Sequence, residues 1–238
     1  GHGTYVAGEI VAAWNSSGVA GLAPGVRLMV VRALDCNGTG FTSDLANGIA
    51  YAAAGGARVV NLSLGGHQPD PALESTINAA VAAGVVVVAA AGNCGDVTSP
   101  VPGCPAQNAP MYPAAYPAVI AVSASDGPSN PDGRASFSNW GDYVDLAAPG
   151  VGVCSTTRGG GYACNLVGTS MATPLVSGVA ALLLSAKPGL SPAQVADHLK
   201  AFAVNLPDGS TPNWDGAGRV NAIAVALPYR AAAPGVAR

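Results

Sequence analysis

Apolar positions along this chain cluster into short runs separated by Gly-, Pro- and Asn-marked turns. Val26 to Leu34 is short, apolar and β-branched, the pattern of a buried strand. Arg58 to Leu64, Val85 to Ala91 and Val119 to Ala124 predict three more strands. Helical patterns lie between them. One opens at His2, reaches about Ala13 and ends in the Trp14-Asn15-Ser16-Ser17-Gly18 loop. Asn37-Gly38-Thr39-Gly40 is a turn, Ser43 to Ala54 is a helix, and Gly55-Gly56 stop it. Asp70 caps the next helix with Pro71 in its first position, and Gly84 closes it. Ser191-Pro192-Ala193-Gln194 reads as a capping box opening a last helix, to about Phe202. Strand and helix alternate at the spacing of a parallel sheet, which predicts a layered α/β fold. Leu175 to Ala186 is apolar all round and predicts a helix through the core. No internal repeat or linker precedes Pro228. One domain, residues 1–227, is therefore expected, with a loose Ala/Pro-rich tail over 228–238.

Composition narrows the function. In 238 residues half are hydrophobic and only 10% are charged, which suits a large core under a small-residue surface. A net charge of −3 gives no reason to expect a nucleic acid or an anionic membrane as partner. No apolar run reaches the roughly 20 residues of a membrane span. The first residue is Gly rather than Met, so the start reads as a cut and a missing signal peptide is uninformative.

The five cysteines are Cys36, Cys94, Cys104, Cys154 and Cys164. Cys94 and Cys104 bracket a Pro/Gly-rich loop, and Cys154 and Cys164 bracket a predicted hairpin. Sequence proximity favours those two pairings, although four cysteines allow three connectivities. Two short bridges would suit an oxidising compartment and stabilise by about 3 kcal/mol each. Cys36 is left over. No C-x₂-C or paired-His spacing supports zinc.

Gly168-Thr169-Ser170-Met171-Ala172-Thr173-Pro174 opens the most apolar helical run. Free N–H groups and the helix dipole favour an anion beside a hydroxyl placed there, which suits a serine whose attack creates an oxyanion. On those residues alone, a Ser N-cap on a buried helix accounts for the pattern better. Two further stretches change the balance. Gly1-His2-Gly3-Thr4-Tyr5-Val6-Ala7-Gly8 puts a His at the start of an Ala-rich helix, and Ala89-Ala90-Ala91-Gly92-Asn93 ends an apolar strand with an Asn in a turn. His, Asn and Ser in these surroundings resemble the subtilisin-like serine proteases (subtilases), over nearly the whole chain to about Val225.

The resemblance implies a secreted serine endopeptidase with a three-layer subtilisin-like fold. It would act as a monomer on protein or peptide substrates, through an Asp–His–Ser mechanism. Ser170 would be the nucleophile and His2 its base. Asn93 would bind the oxyanion together with the Ser170 N–H; an Asn supporting a left-handed turn is the plainer account of that residue. Subtilases bind substrate as an added strand. The matching flanks here are Gly38, Thr39 and Gly40 on one side and Ser63, Leu64, Gly65 and Gly66 on the other. Ala90, Ala91 and Gly92 match a wall of the primary pocket, with Met111 near its base. Small walls imply an apolar or aromatic P1 residue. The resemblance also implies calcium: Asn15 as a side-chain ligand in one site, and the Pro117 and Val119 carbonyls with Asp145 in another. Against that stands an Asp145 that caps or pairs. Cys36 matches a free Cys that one branch of the family holds near the catalytic His; a small buried residue is the plainer reading.

Two departures stand out. Leu175 follows Pro174 where many subtilases have His, and the stretch from Asn93 to Tyr112 is longer than in subtilisin itself, with Cys94 and Cys104 placed to staple it. The family order is Asp, His, Ser, and the chain begins one residue before its His, so the Asp-bearing segment is expected to lie outside it. The main alternative is a non-catalytic subtilase-fold fragment or pseudoprotease acting as a binding module. No G-x-G-x-x-G or P-loop follows a strand, and Ser170 lacks the G-x-S-x-G of α/β-hydrolases.

Overall fold

A computed structural model describes residues 1–97, 103–128, 130–206 and 211–229. Helix α1 runs over His2–Val11, α2 over Thr42–Ala54, strand β1 over Val59–Leu62 and α3 over Pro71–Ala82. Strands β2 (Val86–Ala90), β3 (Ile120–Ser125) and β4 (Leu146–Pro149) follow, then the short pair β5 (Ser155–Thr156) and β6 (Tyr162–Ala163). Helices α4 (Thr169–Ala186) and α5 (Pro192–Ala201) and a 3₁₀ turn at Ala222–Val225 complete the order.

Strands β1 to β4 form one parallel sheet in chain order. Every residue of β2 and β3 is buried, as expected when helices cover both faces of a parallel sheet. Val86, Val88, Ile120 and Val122 pack towards α4 and α5. Val85, Val87, Ala89 and Ala121 pack towards α2 and α3. This is the expected α/β three-layer arrangement. The Asp70 cap accepts from the Ala72 and Leu73 N–H groups, and the Ser191–Gln194 capping box closes in both directions. Helix α4 is long and apolar enough to cross a membrane by composition, but two thirds of it is buried here against the sheet.

Both expected disulfides are present, Cys94–Cys104 and Cys154–Cys164, and the second staples the β5–β6 hairpin. Cys36 is a free thiol and is exposed, contrary to the buried expectation. Its place on the Asp35–Thr39 turn explains this: Asp35 accepts from the Asn37 and Thr39 N–H groups, so the turn closes on itself and leaves the thiol outside.

One predicted strand does not form. Residues 27–34 belong to no sheet and make no backbone hydrogen bond among the described residues. Met29 and Val31 lie near Gly55 and Gly48, at the end and in the middle of α2, yet all four apolar residues from Leu28 to Val31 are 39% or more exposed. A strand needs a neighbouring edge as well as a β-branched sequence, and these residues have none. Strand β1, at the end of the sheet, carries a free edge of its own among the described residues. The sequence reading also missed β4, four residues ending in Pro149. Of the tail, only Pro228 and Tyr229 lie within the described residues.

Candidate active site

The site assembles where β2 and α4 meet. Strand β2 runs out into Ala91-Gly92-Asn93, and α4 begins at Thr169 after Gly168, whose φ of 149° lies at the edge of what side-chain-bearing residues accept. Asn93 Oδ1 accepts from the Thr169 N–H at 2.9 Å and from Thr169 Oγ at 3.0 Å. A backbone N–H must meet the oxygen of the carboxamide, so this bond fixes its orientation and leaves Nδ2 on the other side as a donor. Ser170 sits in the first turn of α4, where N–H groups have no intrahelical acceptor. Residues 76 apart in sequence thus present a side-chain amide and a helix N-terminus side by side.

Buried polar side chains that the sequence analysis did not single out hold this turn. Thr169 is fully buried, and its hydroxyl also accepts from the Gly92 N–H at 3.2 Å. Asn139, likewise fully buried, donates to the Ala91 and Ala109 carbonyls and accepts from the Cys94 N–H. Tyr143 donates to the Ala91 carbonyl at 2.8 Å, and burial pushes its hydroxyl up to about 12. No local sequence signal marks these three, because each bonds backbone far away in the chain.

Pro174 lies inside α4 and has no N–H. The Ser170 carbonyl therefore loses its partner four residues on. Ser63 Oγ supplies one, donating to that carbonyl at 2.8 Å, while Ser170 Oγ donates back to the Ser63 carbonyl at 3.2 Å. Asn61 Nδ2 donates to Ser63 Oγ, and Ser177 donates to Asn61 Oδ1. Ser63→Ala is expected to orphan the Ser170 carbonyl at a cost of about 1–3 kcal/mol. For a domain of this size that lowers the melting temperature by about 2–4 °C per kcal/mol. Pro174→Ala restores an N–H inside the helix, so it should recover part of the loss in the Ser63→Ala background. Additive losses in thermal unfolding would refute this account of the Ser63 hydroxyl.

His2 occupies the first position of α1, which packs on α4. Partial burial holds its ring below the ordinary histidine range and favours the neutral form a base needs. Its ring makes no hydrogen bond among the described residues, and the Ser170 hydroxyl points to Ser63. Met111 lies between the two proposed walls: a Cβ at Gly65 would come within 2.6 Å of Met111 Cγ, and one at Gly92 within 3.2 Å of its Cβ. Gly66 and Tyr112 exchange backbone hydrogen bonds at 2.8 and 2.7 Å, tying the Ser63–Gly66 stretch to the Met111 segment. Gly38, Thr39 and Gly40 form an exposed turn whose contacts stay within its own loop.

The metal expectations divide. Asp145 Oδ2 accepts from the Ala121 N–H at 2.9 Å, and Oδ1 pairs with Lys200 Nζ at 2.5 Å. With both oxygens engaged and an ammonium against one, Asp145 with the Pro117 and Val119 carbonyls does not fit a cation. The cap-and-pair reading accounts for it. Asn15 lines a concave loop over residues 13–20, with Oδ1 near the Ser17 N–H at 3.2 Å. Carbonyls and a carboxamide there are oxygen donors of the calcium kind. No cluster of three or more His, Cys, Asp or Glu side chains occurs among the described residues.

A model of the subtilase family matches residues 1–218. Subtilisin Savinase of Lederbergia lenta is 46% identical over 222 residues, covering 93% of this chain and 76% of that protein. An alkaline protease of Alkalihalobacillus alcalophilus is also 46% identical over 93% of this chain, which spans only 54% of its length. Among solved structures, a protease of Pseudoalteromonas arctica superposes with a TM-score of 0.81 at 36% identity, over 94% of this chain and 69% of that one.

Proposed function

The chain belongs to the subtilase family of serine endopeptidases, and on that premise we propose how its own residues divide the reaction. Ser170 Oγ attacks the scissile carbonyl carbon while His2 takes the hydroxyl proton. The oxyanion accepts hydrogen bonds from Asn93 Nδ2 and the Ser170 N–H. Collapse of the adduct releases the amine, which receives the proton from His2. Water then repeats the sequence to free the acyl group. The observation that carries this reading is the carboxamide of Asn93, oriented by Thr169 beside the start of α4. In subtilisin, loss of the oxyanion Asn costs about 10²–10³ in kcat; that magnitude belongs to that enzyme.

Substrate lies as an added strand along Ser63, Leu64 and Gly65, with Gly38, Thr39 and Gly40 as the opposite flank. Its P1 side chain enters between Ala90, Ala91 and Gly92, with Met111 at the base. Met111 closes on both glycine positions, which favours an apolar P1 of limited size. Two disulfides support a secreted protein. Calcium would sit in the Asn15 loop, where it would lock a turn and take no part in the chemistry. The chain works as a monomer on protein or peptide substrates.

A serine-directed fluorophosphonate tests the central assignment. In a version of this protein extended upstream of Gly1, it is expected to label Ser170 and stop proteolysis. Mass spectrometry placing the label elsewhere, or full activity in Ser170→Ala, overturns it.

A further inference from the structure

His67 follows the proposed substrate-binding glycines directly and is only partly exposed. Its ring nitrogens both face carbonyl oxygens. Nδ1 lies 3.0 Å from the Pro110 oxygen and Nε2 lies 2.8 Å from the Gly103 oxygen. Carbonyl oxygens only accept, and a neutral imidazole has a single N–H. The neutral ring can satisfy one contact, and at the other it sets a lone pair against a lone pair. The imidazolium satisfies both. Cys94 Sγ lies 3.7 Å from Nε2, so the ring also rests on the Cys94–Cys104 disulfide.

We propose that His67 is a positioning residue for the P1 pocket: a protonation-dependent clasp that ties the Met111 segment and the Gly103–Cys104 corner to the Ser63–Gly66 stretch. The clasp spans three separate pieces of chain. Pro110 immediately precedes Met111, and Gly103 adjoins a disulfide whose other cysteine follows Asn93. Gly66 is already bonded to Tyr112 on the far side of Met111. The protonated ring therefore pins Met111 from one side while the Gly66 bridge pins it from the other. Deprotonation frees one of the two carbonyls, and Met111 gains latitude between Gly65 and Gly92. This rests on the reading of Met111 as the pocket base.

Several titratable groups on the elements around His67 have their own partners. Asp70 caps α3 and accepts from Thr42, Tyr116 bonds the Asp70 backbone, and Asp96 is paired with Arg134. Glu74 lies one turn into α3, and Tyr112 lies in the bridged segment. A titration seen at Met111 is assigned to His67 only if it disappears with the ring.

Methyl NMR reads the clasp without catalysis. The chain has three methionines, Met29, Met111 and Met171, so ¹³C-methyl labelling gives three resolvable signals. The Met111 methyl is expected to shift with pH at the same midpoint as the His67 ring nitrogens. The shift should vanish in His67→Phe. In His67→Gln, which keeps a single donor nitrogen, Met111 should stay at one pH-independent position. Titration of His67 with a static Met111 methyl overturns the clasp, and the wild-type chain alone decides this if a variant does not fold. In an active, upstream-extended version, the Phe-to-Ala P1 ratio of kcat/KM should change about threefold across that midpoint, a fraction of what an apolar pocket discriminates. A pH-independent ratio overturns the consequence for specificity. A ratio insensitive to Met111→Ala with the NMR coupling intact locates the failure in the pocket reading instead.

Discussion

Residues 1–238 assayed alone are expected to cleave a fluorogenic peptide at least about 10⁴-fold more slowly than a version extended upstream with an Asp-bearing strand of the family's kind. The chemical part of the expectation starts at His2. Its ring has no hydrogen-bond partner among the described residues, so nothing sets its tautomer or stabilises its imidazolium. Asp35 cannot stand in, because its carboxylate is spent on the Asn37 and Thr39 N–H groups of its own turn. In subtilisin the loss of the triad Asp alone costs roughly 10⁴-fold in kcat, and that figure is borrowed. The structural part adds to it. Among the described residues, strand β1 ends the sheet with a free edge and residues 27–34 pair with nothing, and Leu28 to Val31 are exposed. An extended apolar stretch and an open strand edge both invite a partner strand. His2 at the chain start also frays more readily than a helix interior. The two versions would be compared after each is shown to unfold cooperatively. If the short chain folds and cleaves within tenfold of the long one, both halves of the argument fail.

Residues 27–34 also show what sequence reading can and cannot reach here. Their β-branched run fits a strand, but Met29 and Val31 stay about as exposed as Leu28, so no buried face forms. What fails is pairing, which depends on a neighbour that no local pattern can supply. Helix boundaries fared better because their signals are local: Asp70 before Pro71 and Ser191 before Gln194 cap as expected. Asn93 and Ser170 stand out in the sequence because their motifs are specific, and Thr169, next to Ser170, bonds the Asn93 carboxamide. Thr169, Asn139 and Ser63 differ in kind. The side chain of each bonds backbone 30 to 107 residues away, and a lone polar residue in a sequence carries no sign of that. Asp145 was legible as an oxygen donor, but its partner Lys200 was not, since an ion pair across 55 positions leaves no spacing to read.

Glu9 carries the other large expectation: wild-type stability should fall as pH rises from about 5 to 8, and Glu9→Gln should remove most of that fall. Glu9 is 3% exposed in α1, and neither carboxyl oxygen has a hydrogen-bond partner among the described residues. Burial pushes the carboxyl up to about 9. The folded protein therefore holds this proton where an unfolded chain, at an ordinary 4.5, has lost it. Stability from the neutral form is complete below 4.5 and drains away as pH climbs towards 9. Each unit in that window is worth up to about 1.4 kcal/mol, so three units give roughly 3–4 kcal/mol. For a domain of this size that is on the order of 10 °C in melting temperature. Competing groups do not mask it. Asp35 and Asp70 are held below 3.8 by hydrogen bonds, so their contributions change only under more acid conditions. His2 works in the opposite direction, since its lowered ring gains stability as pH rises through 6.5, but it is common to both proteins and cancels in the comparison. The measurement is the melting temperature of wild type and Glu9→Gln at pH 5 and pH 8. Parallel behaviour of the two would mean that Glu9 is solvated or paired in solution, and that its burial in α1 is not what sets the pH response.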